Sequence, residues 1–255
     1  MPVEIEPFTC RSDNFGILLR DVESGAVALV DAPEEAPILA AIGRTGWRPS
    51  LLLVTHHHGD HVEANLALKQ RFGLRIVGPE AEAAKIPGID EKVAEGDTVM
   101  LGTQPVRVIA TPGHTAGHVS YHLPEASVAF TGDTLFSLGC GRLFEAGPEA
   151  MFASLAKLAA LPGGTKLFCG HEYTAANARF ALSVDAGNAA LQARAKEVES
   201  LRAEGRPTLP TTLASELETN PFLRTGDPAI RKALAMEAAT DVAVFAELRR
   251  RKDNF

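Results

Sequence analysis

The chain is poor in the features that would commit it to an oxidising compartment, a polyanion or a membrane. Its cysteines are three, Cys10, Cys140 and Cys169. An odd count at wide spacing excludes a disulfide framework and a Cys-x-x-Cys metal knuckle. Cationic excess is missing as well. The formal net charge is -7, whereas a dedicated nucleic-acid binder needs a basic surface to meet phosphate. Any anionic small molecule must therefore be met by a local basic patch. No stretch of about 18 consecutive apolar residues occurs, so no transmembrane helix is expected. The opening Met-Pro-Val-Glu-Ile-Glu has no basic region followed by an apolar one, so no targeting segment is expected either. Low-complexity tracts and short-period repeats are absent. What remains is 255 residues with 45% hydrophobic content, enough to bury a core in one large domain or one domain with an appendage. The expectation is an unprocessed, cytoplasmic monomer without nucleic-acid or membrane partners.

The first two thirds of the chain alternate short β-rich runs with helical stretches. Residues 17–19 and 27–30 read as strands and 34–43 as a helix. The continuous apolar run Leu51-Leu52-Leu53-Val54 has the pattern of a strand buried on both faces, and it ends in histidines. Residues 62–72 read as a helix, and 75–77, 97–101, 106–110, 119–123 and 128–130 as strands between loops marked by Gly and Pro. A helix over 151–161, closed by Pro162-Gly163-Gly164, precedes a strand at 166–169. Beyond about residue 172 the strand signals stop. Ala, Leu, Glu and Arg take over in segments predicted helical at 175–184, 188–204, 228–239 and 241–252. Asp227-Pro228 has the form of an N-cap followed by Pro at the first helical position, and Asp241 is predicted to cap the last helix. The expected organisation is an α/β domain over residues 1–172 followed by an α-helical domain over 173–255.

Four of the eight histidines fall within His56–His61, directly after the apolar strand. A polar cluster in that position leaves several imidazoles in need of partners. Alternation in an extended segment puts His56 and His58 on one side and His57 on the other. As the chain bends into the next helix, Asp60 and His61 become available to a second, neighbouring metal. Three imidazoles and a carboxylate suit zinc or another first-row divalent ion, but they do not fill two coordination shells. Further ligands are expected at other strand ends. His114 follows the strand 106–110, Asp133 follows 128–130, and His171 follows 166–169. Each alone reads equally well as a loop residue; jointly the three strand-end positions make coincidence improbable. His118 and His122 share a strand face with Ser120 and read as packing or supporting residues, His118 being placed to orient a ligand.

This pattern, His56-x-His58-x-Asp60-His61 followed by His114, Asp133 and His171, resembles the signature of the metallo-β-lactamase superfamily. The resemblance implies a four-layer αβ/βα sandwich with a binuclear site at one edge. By it, one metal takes His56, His58 and His114, the other takes Asp60, His61 and His171, and Asp133 bridges both. More specific stretches cover essentially the whole chain and are similar to the hydroxyacylglutathione hydrolase (glyoxalase II) family. They are Thr55–His61, Gly132-Asp133-Thr134-Leu135-Phe136, Gly139-Cys140-Gly141-Arg142, Cys169-Gly170-His171-Glu172-Tyr173-Thr174 and Asn220-Pro221-Phe222-Leu223-Arg224.

That similarity implies hydrolysis of the thioester S-D-lactoylglutathione to D-lactate and glutathione, the second step of methylglyoxal detoxification. The nucleophile would be a metal-bridging hydroxide, with Asp60 and Asp133 as the catalytic carboxylates. Two divalent ions are implied, zinc foremost, although iron and manganese suit the same ligands. The family's glutathione-binding positions carry over to Arg142, Phe144, Tyr173, Arg249 and Lys252. Arg142 stands where eukaryotic members have Lys, and Phe144 where they have Tyr, so a phenol hydroxyl is lost. Without the resemblance, Arg249–Lys252 would read as cations complementing a helix dipole, although Arg249 and Lys252 do share a helical face. Persulfide dioxygenases and lactonases are the rival chemistries of the superfamily, and the C-terminal stretches favour the thioesterase. A non-catalytic scaffold would usually have lost ligands, and all seven positions are intact. Cys140, with no thiol-activating partner in view, reads as structural.

Overall fold

In the computed structural model, which describes residues 2–255, two six-stranded sheets lie face to face. The first runs β1 (Val3–Cys10), β2 (Asn14–Asp21), β3 (Val27–Val30), β4 (Leu51–Leu53), β5 (Arg75–Pro79) and β6 (Glu91–Val93) in chain order. Its β3–β6 half is parallel. The second contains β7 (Thr98–Leu101), β8 (Gln104–Ala110), β9 (Val119–Leu123), β10 (Val128–Gly132), β13 (Lys166–Cys169) and β14 (Thr211–Thr212), in the order β14-β13-β10-β9-β8-β7. The short β11 (Leu135–Phe136) and β12 (Gly139–Cys140) form a separate hairpin.

Alternation along each strand explains the layers. In β2 and β4, Ile17, Leu19, Leu51 and Leu53 face the inter-sheet core beside Val106, Val108, Tyr121 and Phe130. Leu18 and Leu52 point to the opposite face, where they meet Ile38 and Ala41 of α1 (Glu35–Thr45) and Leu68 of α3 (Asn65–Phe72). Burial on both faces is why these strands read as unbroken apolar runs. The outer face of the second sheet is covered by Met151, Leu155 and Leu158 of α4 (Pro148–Ala159). The C-terminal helices cover the rest: α5 (Thr174–Val184), α8 (Pro228–Leu234) and α9 (Asp241–Asp253) pack Phe180, Ile230, Phe245 and Leu248 into the same cluster as Ala129 and Leu167. The α6 helix (Ala189–Ala203) lies outside α5, with Leu191 against Ala178 and Ala181. The result is the αβ/βα sandwich with added C-terminal helices that the sequence led us to expect. Among the described residues no helix is long and apolar enough to cross a membrane.

Several local expectations need correction. The last helix is capped by Thr240, whose hydroxyl accepts from the Ala243 N–H, and Asp241 is instead its first residue, paired with Arg231. A hydroxyl at the N-cap reaches the exposed amide; the carboxylate one residue on complements the dipole. The helix expected over 228–239 stops at Leu234 because Ala235 adopts the left-handed conformation. The segment 62–72 is split into α2 (Gly59–Val62) and α3. One strand does lie beyond residue 172: β14 pairs antiparallel with β13. The edge strands β1 and β6 were not expected at all.

Glu216 of α7 (Leu213–Thr219) fastens the β11–β12 hairpin to this scaffold. Its fully buried carboxylate accepts from the Leu138 N–H at 2.7 Å, Thr211 Oγ1 at 2.8 Å, Asn220 Nδ2 at 3.0 Å and Ser137 Oγ at 3.1 Å. Burial pushes its carboxyl upward, against the pull of these donors. Truncating it strands several donors away from water, so Glu216→Ala is expected to cost roughly 3 kcal/mol. Thermal unfolding should show a midpoint lower by about 6–12 °C; an unchanged midpoint would remove the carboxylate from this role.

Candidate metal centre and substrate cavity

The polar cluster forms where strands of both sheets end on the same edge. His56–His61 leave β4, Asp133 follows β10, His171 follows β13, and His114 lies in the loop between β8 and β9. Backbone hydrogen bonds sew the sheets together there. The Val119 N–H donates to Thr55 O at 2.9 Å, and the Phe15 N–H donates to Gly170 O at 2.8 Å. At Gly132 the chain takes a left-handed turn, φ 46°, and a Cβ there would stand 2.5 Å from His118 Nε2. Only glycine allows both the turn and the approach.

All seven side chains expected from the sequence converge. His56, His58 and His114 form one group with ligand atoms within 4.8 Å of one another, Asp60, His61 and His171 a second, and Asp133 groups with His56 and His61. Asp133 lies between: Oδ2 is 3.4 Å from both His114 Nε2 and His171 Nε2, and Oδ1 is 3.5 Å from His61 Nε2. Asp60 Oδ2 is 3.4 Å from His171 Nε2 and 3.8 Å from His61 Nε2. His57 stands outside these three groups and falls in a fourth with His58 and the exposed Glu145.

The partners behind the imidazoles decide what the cluster can hold. His61 Nδ1 is 2.8 Å from Asp31 Oδ2, His171 Nδ1 is 2.9 Å from Asp13 Oδ1, and His114 Nδ1 is 2.9 Å from the Arg142 carbonyl. Each of those oxygens only accepts, so each Nδ1 carries the proton. Thr55 Oγ1 donates to Asp31 Oδ2 and thereby presents a lone pair to His56 Nδ1 at 3.0 Å. Four Nε2 lone pairs therefore face inward in the neutral rings. There His58 Nδ1 approaches the Nε2 atoms of His114 at 2.9 Å and His56 at 3.1 Å. Asp133 Oδ1 is buried without a hydrogen-bond partner. Converging lone pairs and an orphan carboxylate oxygen fit divalent cations, which take N and O ligands of this kind.

His118 is a supporting residue, as expected: its Nε2 accepts from the Asp133 N–H at 3.0 Å, and burial drives it down to about 3. His122 lies on β9 across from Arg107, away from the cluster. Sequence reasoning missed Asp13, Asn14, Asp31 and Glu82. Asp31 had a readable signal, since it follows β3 just as the other acids and imidazoles follow their strands. Asp13 closes the turn between β1 and β2 and Asn14 opens β2, where its Nδ2 donates to Asp60 Oδ2 at 3.1 Å.

A cavity of about 490 Å3 opens beside the cluster, lined by His58, Asp60, Arg142, Phe144, Tyr173 and Lys252 among others. Tyr173 stacks on His171 with centroids 4.7 Å apart. Phe144, 62% exposed, meets His114 at a tilt, with ring centroids 5.2 Å apart. Arg249 also lines the cavity but is less free than its place in a basic run suggested. It is buried, donates to the Cys140 carbonyl at 2.7 Å and Asp253 at 2.9 Å, and lies over Phe222. Cys140 lines the same wall with its thiol pushed up to about 11 by burial, an inert group.

Two family models match adjoining parts of the chain: the metallo-β-lactamase superfamily over residues 17–171, and the hydroxyacylglutathione hydrolase C-terminus over residues 172–255. A hydroxyacylglutathione hydrolase of Mesorhizobium japonicum is 69% identical over 255 residues, covering 100% of both chains. One of Chelativorans sp. is 66% identical with the same coverage. One of Rhizobium meliloti is 58% identical over 253 residues, covering 99% of each. Among solved structures, ETHE1 from Myxococcus xanthus superposes with a TM-score of 0.68 at 23% identity, covering 98% of each chain, a likeness of fold alone. TTHA1623, solved in a di-iron-bound form, gives 0.64 at 28% identity over 86% of this chain and all of its own.

The two groups differ in how they hold protons before any metal enters. Burial pushes His56 well down, and it also lowers His58 and His114, so these rings are neutral near pH 7. Burial acts the same way on His61 and His171, but Asp133 with Asp31 or Asp13 outweighs it, raising His61 and taking His171 to about 9. Below that pH, His171 binds a proton that an entering cation must displace. Cation affinity at Asp60, His61 and His171 should fall about tenfold per pH unit as pH drops below 9, while affinity at His56, His58 and His114 stays nearly flat from about pH 7 to 9. Zinc titrations with a proton-release dye would show this, and equal pH dependence at both sites would contradict it.

Proposed function

Because the chain belongs to the hydroxyacylglutathione hydrolase family of the metallo-β-lactamase superfamily, we propose that it hydrolyses S-D-lactoylglutathione to D-lactate and glutathione. The observation that carries the reading is the continuity of one cavity from the histidine cluster to three cations, Arg142, Arg249 and Lys252. One end suits an electrophilic carbonyl, the other the carboxylates of a glutathione moiety.

In this reading His56, His58 and His114 would hold one divalent ion and Asp60, His61 and His171 the other, with Asp133 available to both. Zinc is the first choice. Such ions would supply an acidified water and polarise the thioester carbonyl. The chain's own groups do the rest. Asp31, Asp13, Thr55 and the Arg142 carbonyl fix the tautomers and the aim of four imidazoles. Burial raises the carboxyl of Asp133, but His61 and His171 outweigh it and keep the group ionised far below neutral pH. Asp60 is held by Asn14 at the cavity edge, placed to accept a hydrogen bond from the attacking water. Arg142 and Lys252 meet carboxylates, and Phe144 offers the substrate an apolar edge in place of a hydroxyl. The leaving thiolate, with a pKa near 8.5, departs with little help from a general acid. Residues 1–172 would thus carry the chemistry and 173–255 complete the binding wall. A monomer contains the whole arrangement.

Purified protein should release D-lactate and glutathione from S-D-lactoylglutathione, and a strong chelator should abolish the activity. Full turnover after complete metal removal would sink the mechanism. Asp133→Ala should lower both metal content and kcat, by at least about 100-fold for kcat given the scale of lost electrostatic stabilisation. Retention of two metals per chain in that variant would contradict the assignment.

A further inference from the structure

One imidazole of the histidine run has no part in the arrangement above, yet it is largely buried. His57 points away from the cluster into a network of its own. Its Nδ1 is 2.8 Å from Glu82 Oε2, which also accepts from the His57 backbone N–H at 2.7 Å. The other oxygen of Glu82, a residue 4% exposed, accepts from the Gly117 N–H at 2.8 Å. Since Glu82 only accepts there, Nδ1 carries the proton. On the far side of the ring, Nε2 faces Lys85 Nζ and Glu145 Oε1, each at 3.4 Å, and Lys85 is 3.2 Å from Glu145. Glu145 Oε2 accepts from the Ala116 N–H at 3.0 Å.

Through Glu82 and Lys85 of segment 80–85, these contacts join three other segments distant in sequence. The first, 55–61, carries His56 and His58. The second, 111–118, carries His114 and is gripped through Ala116 and Gly117. The third, 141–147, carries Arg142 and Phe144 and is gripped through Glu145. The second and third are also tied directly, by His114 Nδ1 to the Arg142 carbonyl and by the Phe144 N–H to His114 O at 3.4 Å. Segment 141–147 has no regular secondary structure before Gly147, so its register depends on such pins.

We propose that His57 is a positioning residue for substrate binding: with Glu82, Lys85 and Glu145 it latches the segment bearing Arg142 and Phe144 to the two loops that bear His56, His58 and His114. The inference rests on the thioesterase reading for its substrate, though the latch itself does not. It makes the orientation of the cationic wall a property of the metal-ligand loops, across a bridge that touches neither the reacting atoms nor the ligand nitrogens.

The test uses full-length metal-loaded protein and four variants: His57→Ala, His57→Gln, Glu145→Ala and the double variant His57→Ala/Glu145→Ala. His57→Ala and Glu145→Ala should each raise KM for S-D-lactoylglutathione about fivefold or more, change kcat less than twofold and keep the wild-type number of metals per chain. His57→Gln, which keeps a donor and an acceptor, should recover part of the KM. Because one network is broken in each case, the double variant should be no worse than the poorer single one. Hydrogen exchange on the same metal-loaded protein should show faster exchange of the Ala116 and Gly117 amides in His57→Ala, whatever the substrate proves to be. An unchanged KM, multiplicative KM effects, or a fall in kcat with loss of metal would overturn the proposal. Should His57→Ala fail to fold, the exposed Glu145→Ala still reads KM against kcat. Absence of hydrolysis by the wild type would instead refute the functional reading, with the exchange result still judging the latch.

Discussion

The structure depends on keeping lone pairs aimed inward from largely buried rings at the floor of a cavity. Neutral imidazoles can present either nitrogen, and a buried ring whose N–H lacks a fixed acceptor would be costly and ill-defined. Here each of the four critical rings has an oxygen behind it: Asp31 and Asp13 carboxylates, a Thr55 hydroxyl and the Arg142 carbonyl. Those oxygens come from β3 and its sequel, the β1–β2 turn, the end of β4 and the segment after β12. No single sheet supplies them. The sandwich must therefore be closed, and stitched at its edge by the Thr55 and Gly170 carbonyls, before the cluster acquires a definite protonation pattern. Function and fold are coupled at this point through hydrogen-bond direction.

That coupling also explains the uneven distribution of strain and freedom. Backbone at the cluster is drawn so tightly that glycine is needed at 132, with its left-handed φ, and at 170, where a Cβ would lie 2.4 Å from Asp133 Oδ1. On the other side of the cavity Arg142 and Phe144 are largely exposed. Side chains at the rim are free to move; those at the floor are not. Arg249 belongs to the wall more than to the rim, since its guanidinium already holds the Cys140 carbonyl and Asp253.

Much of this was legible in the chain. Buried strands announced themselves as apolar runs, and the ligand candidates sat at strand ends because that is where a sheet offers side chains to a shared edge. The seven side chains come together for that reason. What could not be read were relations across long separations: Asp13 with His171, Glu82 with His57 and Gly117, Glu216 with the β11–β12 hairpin. No periodicity encodes them. The missed strands have physical explanations too. β1 carries Glu4, Glu6 and Pro7, charges and a proline that suit a sheet edge and hide a strand pattern, while β6 has only three residues. At Thr240-Asp241 both residues are good caps, and only the geometry of the turn decides between them.

The shared apolar cluster behind the second sheet has a consequence for how such a protein can diverge. Ala129 and Leu167 of the catalytic sheet rest on Phe180, Ile230, Phe245 and Leu248 of the C-terminal helices. The helices that shape the binding wall are thus also the roof of the enzyme's own interior. A lineage descending from this chain is not free to discard them in exchange for a new specificity, because the exposed sheet would lose its cover with the old one. Change can enter through the rim and the loops, one side chain at a time, while the roof stays.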